Sequence, residues 1–217
     1  MVYCRLFAEV KYFFFANMLK IAITGNIGSG KTTVAHFFRI LDIPVFSADS
    51  AGHRALLRSE VITALQSVFG DTVFDENGIV SRKKIGEIVF SDTYKLQRLN
   101  EIVHPVIKDE MLQWIEQQPL QTPYVLCEAA VLFEAGFDVL FDKIITVSAP
   151  ETLRIKRIDT RDGASKQNIL QRMKAQIDEN IKISKSDYCI VNDETQSVIA
   201  QVLKIHSQLI SYLCTLN

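Results

Sequence analysis

Three features of this 217-residue chain predict an α/β fold on a doubly wound, parallel five-stranded sheet. Five short apolar runs rich in β-branched residues recur along it, as strands do. Amphipathic stretches alternate with them, the order of strand–helix–strand units. The first run ends in Gly25-Asn26-Ile27-Gly28-Ser29-Gly30-Lys31-Thr32. That is the G-x-x-x-x-G-K-[ST] string, which wraps phosphate when a strand precedes it and a helix follows.

Lys20–Thr24 reads as the first strand, and Val34, Ala35, Phe37, Phe38 and Leu41 mark the helix behind the loop. Ile43–Asp49 reads as a second strand ending in an acid. From Ser50 to about Phe69 the spacing is helical, with Ala55, Leu56, Val61, Leu65 and Val68 on one side. Asp75-Glu76-Asn77-Gly78 signals a turn. Ser81 opens a further helix with Ile85, Ile88, Val89 and Phe90 inward. A longer one runs from about Thr93 to Gln117, where Pro105 is expected to kink or restart it. Pro119–Pro123 is a linker. Tyr124–Glu128 and Lys143–Val147 are near-continuous apolar strands, as in a parallel sheet buried on both faces. A helix starts at Pro150, and a basic stretch follows through Arg161, Lys166, Arg172 and Lys174. Asp187–Asn192 is the last strand, and Thr195 to about Leu213 the closing helix.

The composition is that of a globular protein: 48% hydrophobic, 23% charged, net charge −1. Such a balance points to no nucleic acid and no membrane surface as partner. The four cysteines, Cys4, Cys127, Cys189 and Cys214, form no metal-ligand spacing. Cys127 and Cys189 sit in strand-like runs and read as buried free thiols, which fits a reducing cytoplasm. Residues 1–17 are broken by Arg5, Glu9 and Lys11, too charged and short for a membrane span or secretory signal. They read as a dispensable extension before a domain starting at Met18.

The loop explains its own residue types. Glycines turn successive N–H groups inward around a phosphate, and the helix N-terminus adds free donors and its positive dipole end. Gly28, Ser29, Gly30, Lys31, Thr32 and Thr33 are therefore the expected ATP-binding residues, with Lys31 on the β- and γ-phosphates and Thr32 on Mg²⁺. In parallel sheets ligands sit beyond the carboxyl ends of the strands, which here are Thr24/Gly25, Ala48/Asp49, Glu128/Ala129 and Asn192/Asp193. The segment between the second and third strands is too long for one crossover. It predicts a helical acceptor-binding insert beside the cleft.

The blocks ITGNIGSGKTTVA, FSADSAGH, LNEIVHPVI, VLFEAGFD, TRDGAS with QRMKAQ, and SDYCIVND resemble those of the dephospho-coenzyme A kinase family, in that family's order, from about Leu19 to Leu209. The resemblance implies a P-loop kinase, a transferase that phosphorylates the ribose 3′-hydroxyl of dephospho-coenzyme A with ATP and Mg²⁺, the last step of coenzyme A biosynthesis. It implies a core at 18–49, 123–154 and 186–217, a helical acceptor subdomain at 50–122 and a lid at 155–185. A cytoplasmic monomer is the expectation. Two departures stand out. The family often has Asp-Ala-Asp where this chain has Ser47-Ala48-Asp49, and usually Pro-Leu-Leu where it has Ala130-Val131-Leu132.

Each candidate carries two readings. Asp49 is a helix N-cap or the general base for the acceptor hydroxyl, and its strand-end place favours the base. Glu128 is a ligand of metal or metal-bound water, or a strand-end acid. His104, in Val-His-Pro, contacts the acceptor as the resemblance implies, or ends a helix. Glu134, in the Phe-Glu block, is by the same resemblance an acceptor contact. Arg157 and Arg161 are lid charges against the transition state or solvated helix charges, with Arg157 the candidate catalytic one. Asn192 and Asp193 are placed near the adenine. Rivals are a kinase for another small hydroxyl acceptor, and a GTPase switch. The D-x-x-G string at Asp75–Gly78 precedes a helix, and no Asn-Lys-x-Asp string accompanies it, which disfavours the switch.

Overall fold

The computed structural model describes residues 18–89, 92–162 and 166–216. The extension 1–17, Phe90, and Gly163–Ser165 of the lid block lie outside the described residues. Five parallel strands form one sheet in the order β2-β3-β1-β4-β5. They are β1 Leu19–Thr24, β2 Val45–Ser47, β3 Tyr124–Glu128, β4 Lys143–Ser148 and β5 Tyr188–Val191. The first strand is central. It pairs Leu19 with Tyr124 on one side and Ile21 with Lys143 on the other.

Alternate side chains of the central strands feed opposite faces, as pleating dictates. On one face Ile21, Ile23, Tyr124, Leu126, Ile145 and Val147 pack against helix α1 (Lys31–Ile40) and the closing helix, α9 by chain order (Val198–Leu216). On the other, Phe46, Val125 and Cys127 meet the insert. The insert comprises α2 (Ala48–Ala55), α3 (Ser59–Phe69), α4 (Arg82–Val89) and α5 (Thr93–Glu116). Glu110 on α5 ties down α2 and its exit by binding Arg54 and, at 3.3 Å, Arg58. After β4 come α6 (Glu151–Asp162), α7 (Lys166–Lys174) and α8 (Glu179–Ser184).

Several boundaries correct the sequence reading. The second strand stops at Ser47, not Asp49, because Ser47 caps α2: its hydroxyl accepts from Ser50 N at 3.3 Å. The predicted helix from Ser50 to Phe69 is two helices that break at Leu56–Arg58. Pro105 neither restarts nor ends α5, which is one 24-residue helix. Pro105 and Glu101, whose carbonyl loses its partner, are both exposed, so water can satisfy it. The closing helix begins at Val198 rather than Thr195. Cys127 is buried as expected, but Cys189 is exposed, since β5 is an edge strand.

Candidate active site

The P-loop leaves β1 and enters α1 in a setting that admits only glycine at positions 25, 28 and 30. Gly30 has φ 90°, and a Cβ there would collide with Asn192 Nδ2. Gly28 has φ 82°, and its Cβ would lie 2.7 Å from the Arg154 carbonyl oxygen. Asn192, at the end of β5, donates to Ser29 O at 2.8 Å. It therefore braces the loop directly, a contact its expected place near the adenine had not included. Thr24 Oγ1, Asn26 Oδ1 and Ser29 Oγ are buried without a hydrogen-bond partner. Orphaned polar atoms clustered beside such a loop mark a place where a polar ligand completes the structure. Lys31 begins α1 and is 9% exposed, while Thr32 and Thr33 are exposed.

Thr32 Oγ1 donates to Glu128 Oε1 at 2.5 Å. Glu128 is 2% exposed and stands in register with Ile23 and Ser47 on the neighbouring strands. Glu128 is thus linked directly to the P-loop threonine. A hydroxyl and one carboxylate, both hard oxygen donors, fit Mg²⁺, which takes few protein ligands beside nucleotide phosphates. Among the described residues no group of three or more His, Cys, Asp or Glu side chains forms a cage of its own.

Asp49 lies in the first turn of α2, one strand over from Glu128, and is exposed. Because Ser47 is the cap, the capping alternative for Asp49 falls. Asp49, His53 and His104 line a cavity of about 200 Å³ with Ala129, Ala130 and Phe137. It adjoins a larger one of about 740 Å³, lined by His104, Glu134 and Phe137 together with Leu96, Asn100 and Lys108. His104 is in mid-helix, so it does not end α5. Its ring lies 5.5 Å from that of Phe137, and burial holds its pKa below the usual 6.5. It is therefore neutral at pH 7.

Arg157 points back to the core. Its guanidinium donates to Asn192 O at 3.2 Å and pairs with Glu194 at 3.3 Å, and its other terminal nitrogen is buried without a partner. Arg161, one turn further along α6, is exposed. Glu134 turns one oxygen toward Ile177 N at 3.0 Å and Lys182 Nζ at 3.0 Å, while the other is buried and unpartnered. The D-x-x-G string is a turn in the insert: Asp75 Oδ1 accepts from Asn77 N and Ile79 N.

Two residues near the loop escaped the sequence reading as a site. Lys182 is fully buried, and Gln176, the last residue of the QRMKAQ block, bridges two loops. No local pattern announces Lys182, because Ile181-Lys182-Ile183-Ser184-Lys185 reads as a solvated helix edge.

The sheet order, the glycine loop between the central strand and α1, and the helical insert define a P-loop kinase. A dephospho-CoA kinase family model matches residues 19–197. The chain belongs to the dephospho-CoA kinase family. The dephospho-CoA kinase of Bacteroides fragilis is 32% identical over 201 residues, covering 91% of this chain and 97% of that one. A crystal structure from Thermus thermophilus superposes with TM-score 0.78 at 30% identity, over 88% of this chain and 97% of its own. The dephospho-CoA kinase of Campylobacter jejuni does so with TM-score 0.63 at 26% identity, over the same shares, 88% and 97%.

Proposed function

We infer that this chain transfers the γ-phosphoryl group of ATP to the ribose 3′-hydroxyl of dephospho-coenzyme A, giving coenzyme A and ADP. Family membership over residues 19–197 carries this reading, and the two adjoining cavities beside Asp49 support it. Gly28–Thr33 would wrap the phosphates, with Lys31 against the β- and γ-groups. Thr32 and Glu128 would hold Mg²⁺, which would supply positive charge against the transferring phosphoryl group. Asp49 takes the proton of the 3′-hydroxyl as the oxygen bonds to phosphorus, and the bond to ADP breaks. Arg157, with Arg161 beyond it, balances the transition-state charge, and Asn192 sets the loop from behind. His104, Glu134 and Phe137 wall the acceptor side. The chain acts as a cytoplasmic monomer in this proposal. Among the described residues no helix is long and apolar enough to cross a membrane.

A panel of hydroxyl acceptors with Mg-ATP tests the reading: dephospho-coenzyme A, adenosine, AMP and gluconate. The expected product is coenzyme A, with kcat/KM for dephospho-coenzyme A far above the rest, since remote contacts orient the reacting hydroxyl. Equal kcat/KM for adenosine and dephospho-coenzyme A would remove the acceptor assignment of the insert.

A further inference from the structure

Lys182 is the most unusual charge in the molecule. It sits on α8 with no solvent exposure. Its ammonium donates to Ala130 O at 2.8 Å and pairs with Glu134 Oε1 at 3.0 Å. Glu134 Oε1 also accepts from Ile177 N at 3.0 Å. The Gln176 side chain spans the remaining gap. Its oxygen accepts from Ile27 N of the P-loop at 2.7 Å, and its nitrogen donates to Ala130 O at 3.4 Å. Asn26 Nδ2 closes the ring on Ile177 O at 3.4 Å. Three segments distant in sequence thus meet here: the P-loop, the loop after β3, and the α7–α8 connection.

Stability alone is a poor reason for such a construction. Burying an ion pair costs desolvation that the pairing only partly returns, and an apolar pair of similar volume is often as stable. What the hydrogen bonds of Lys182 and Gln176 do provide is one fixed arrangement of the parts they join, with Glu134 Oε2 and Asn26 Oδ1 left unpartnered beside them. One joined part holds the phosphates. The other carries Glu134 and Ala135 into the wall of the larger cavity. We propose that Gln176 and Lys182 are positioning residues that couple nucleotide binding at the P-loop to acceptor binding in the cavity. The inference rests on ATP and dephospho-coenzyme A being the ligands of those two sites.

The route is short. Ile27 N–H is committed to Gln176, so a change in loop shape as phosphates seat is passed to Ala130, and through Lys182 to Glu134. Charge acts in the same direction. Burial first, and the nearby Lys31 among the smaller causes, hold the Lys182 pKa below its usual value, with Glu134 opposing. An anionic phosphate at Lys31 relieves part of that repulsion and firms the grip on Glu134.

Calorimetry with the β,γ-imido analogue of ATP and dephospho-coenzyme A, each alone and each in the presence of the other, tests the coupling. In the wild-type protein each ligand is expected to tighten the other about fivefold or more. Gln176→Ala should bring that factor below about two while leaving each separate affinity within about twofold. The double variant Lys182→Met with Glu134→Gln removes both charges at similar volume and should lose coupling likewise. A lost acceptor contact at Glu134 would weaken the acceptor equally with and without nucleotide, so it does not mimic this result. Should the double variant fail to fold, Gln176→Ala decides. Variants of lower thermal stability with full coupling would make the clasp structural only and overturn the proposal. A wild-type factor of one, in a protein that does make coenzyme A, overturns the coupling and leaves the reaction standing. A wild-type protein that binds no dephospho-coenzyme A removes both.

Discussion

The donor loop and the acceptor cavity are built by opposite means. The donor site is contiguous, Gly25 to Thr33, and made largely of main chain pressed against Asn192, Arg154 and Val147. The acceptor site is dispersed. Its walls come from α2, α5 and the loop after β3, and they enclose open volume rather than backbone. The donor phosphates carry concentrated charge that oriented N–H groups and one lysine can match. An acceptor with a long arm needs surface, which only separate elements can supply. Effects of substitution should therefore be steep on the donor side and on the shared reacting atoms, and shallow along the cavity.

Lys31→Ala is the steepest expected case. A charge aimed at the transferring phosphoryl group acts where water is excluded, and removing one such donor costs about 10²- to 10³-fold in rate. Turnover should fall by about a thousandfold while thermal unfolding stays close to wild type. Near-normal turnover would show that this loop does not hold the phosphates, and the contrast between the two sides would collapse.

Asp49 sits on the boundary between them, and Asp49→Asn sharpens the comparison. With Ser47 as the cap of α2, the substitution leaves the capping hydrogen bond untouched. It loses only a first-turn charge–dipole interaction of about 0.3–1 kcal/mol. An amide cannot accept the proton as a carboxylate does. The expected result is a folded protein that binds both substrates, with kcat lower by about a hundredfold or more. Retention of more than about a tenth of wild-type kcat would exclude Asp49 as the general base.

What the sequence shows of this molecule follows the same division. All five strands, their parallel sense and the P-loop were legible, because β periodicity and a contiguous motif are local signals, whereas the order β2-β3-β1-β4-β5 came from the structure alone. The insert was legible as helical but not in its joints. The break at Leu56–Arg58 and the unbroken passage of α5 through Pro105 are decided by tertiary packing, with Val103, Ile107, Met111 and Ile115 buried along one side. Ser47 departs from the family pattern, and the structure shows its hydroxyl employed as a cap. Ala130, another departure, contributes through its carbonyl oxygen, which is blind to side-chain identity. Lys182 was illegible because burial of a lone lysine depends on partners from a loop about fifty residues away.

The smallest expected effect separates the two faces of the sheet by their histidines. His206 belongs to the closing helix behind the donor side, 8% exposed and 2.7 Å from the Tyr124 hydroxyl. His104 is only half-buried and opens on the acceptor cavity. Burial holds the pKa of each below the ordinary 6.5. The unfolded chain therefore takes up a proton near pH 6.5 that the native state still resists. Each histidine's share of stability is complete above that pH and is lost as pH falls toward the lower, folded-state pKa. One proton sets a limiting slope of about 1.4 kcal/mol per pH unit for each. Urea midpoints of wild type, His206→Gln and His104→Gln at pH 7.5, 6.5 and 5.5 read this directly. His206→Gln should flatten the acid limb more, because water cannot follow a charge into the packed core behind β3. At His104 the cavity lets water solvate the imidazolium, so protonation costs less there. Filling the cavity with dephospho-coenzyme A should then enlarge the His104 contribution and leave that of His206 unchanged. Equal flattening by both substitutions in the free protein would mean that the acceptor wall is as closed as the core, and that the two sides differ less than their construction implies.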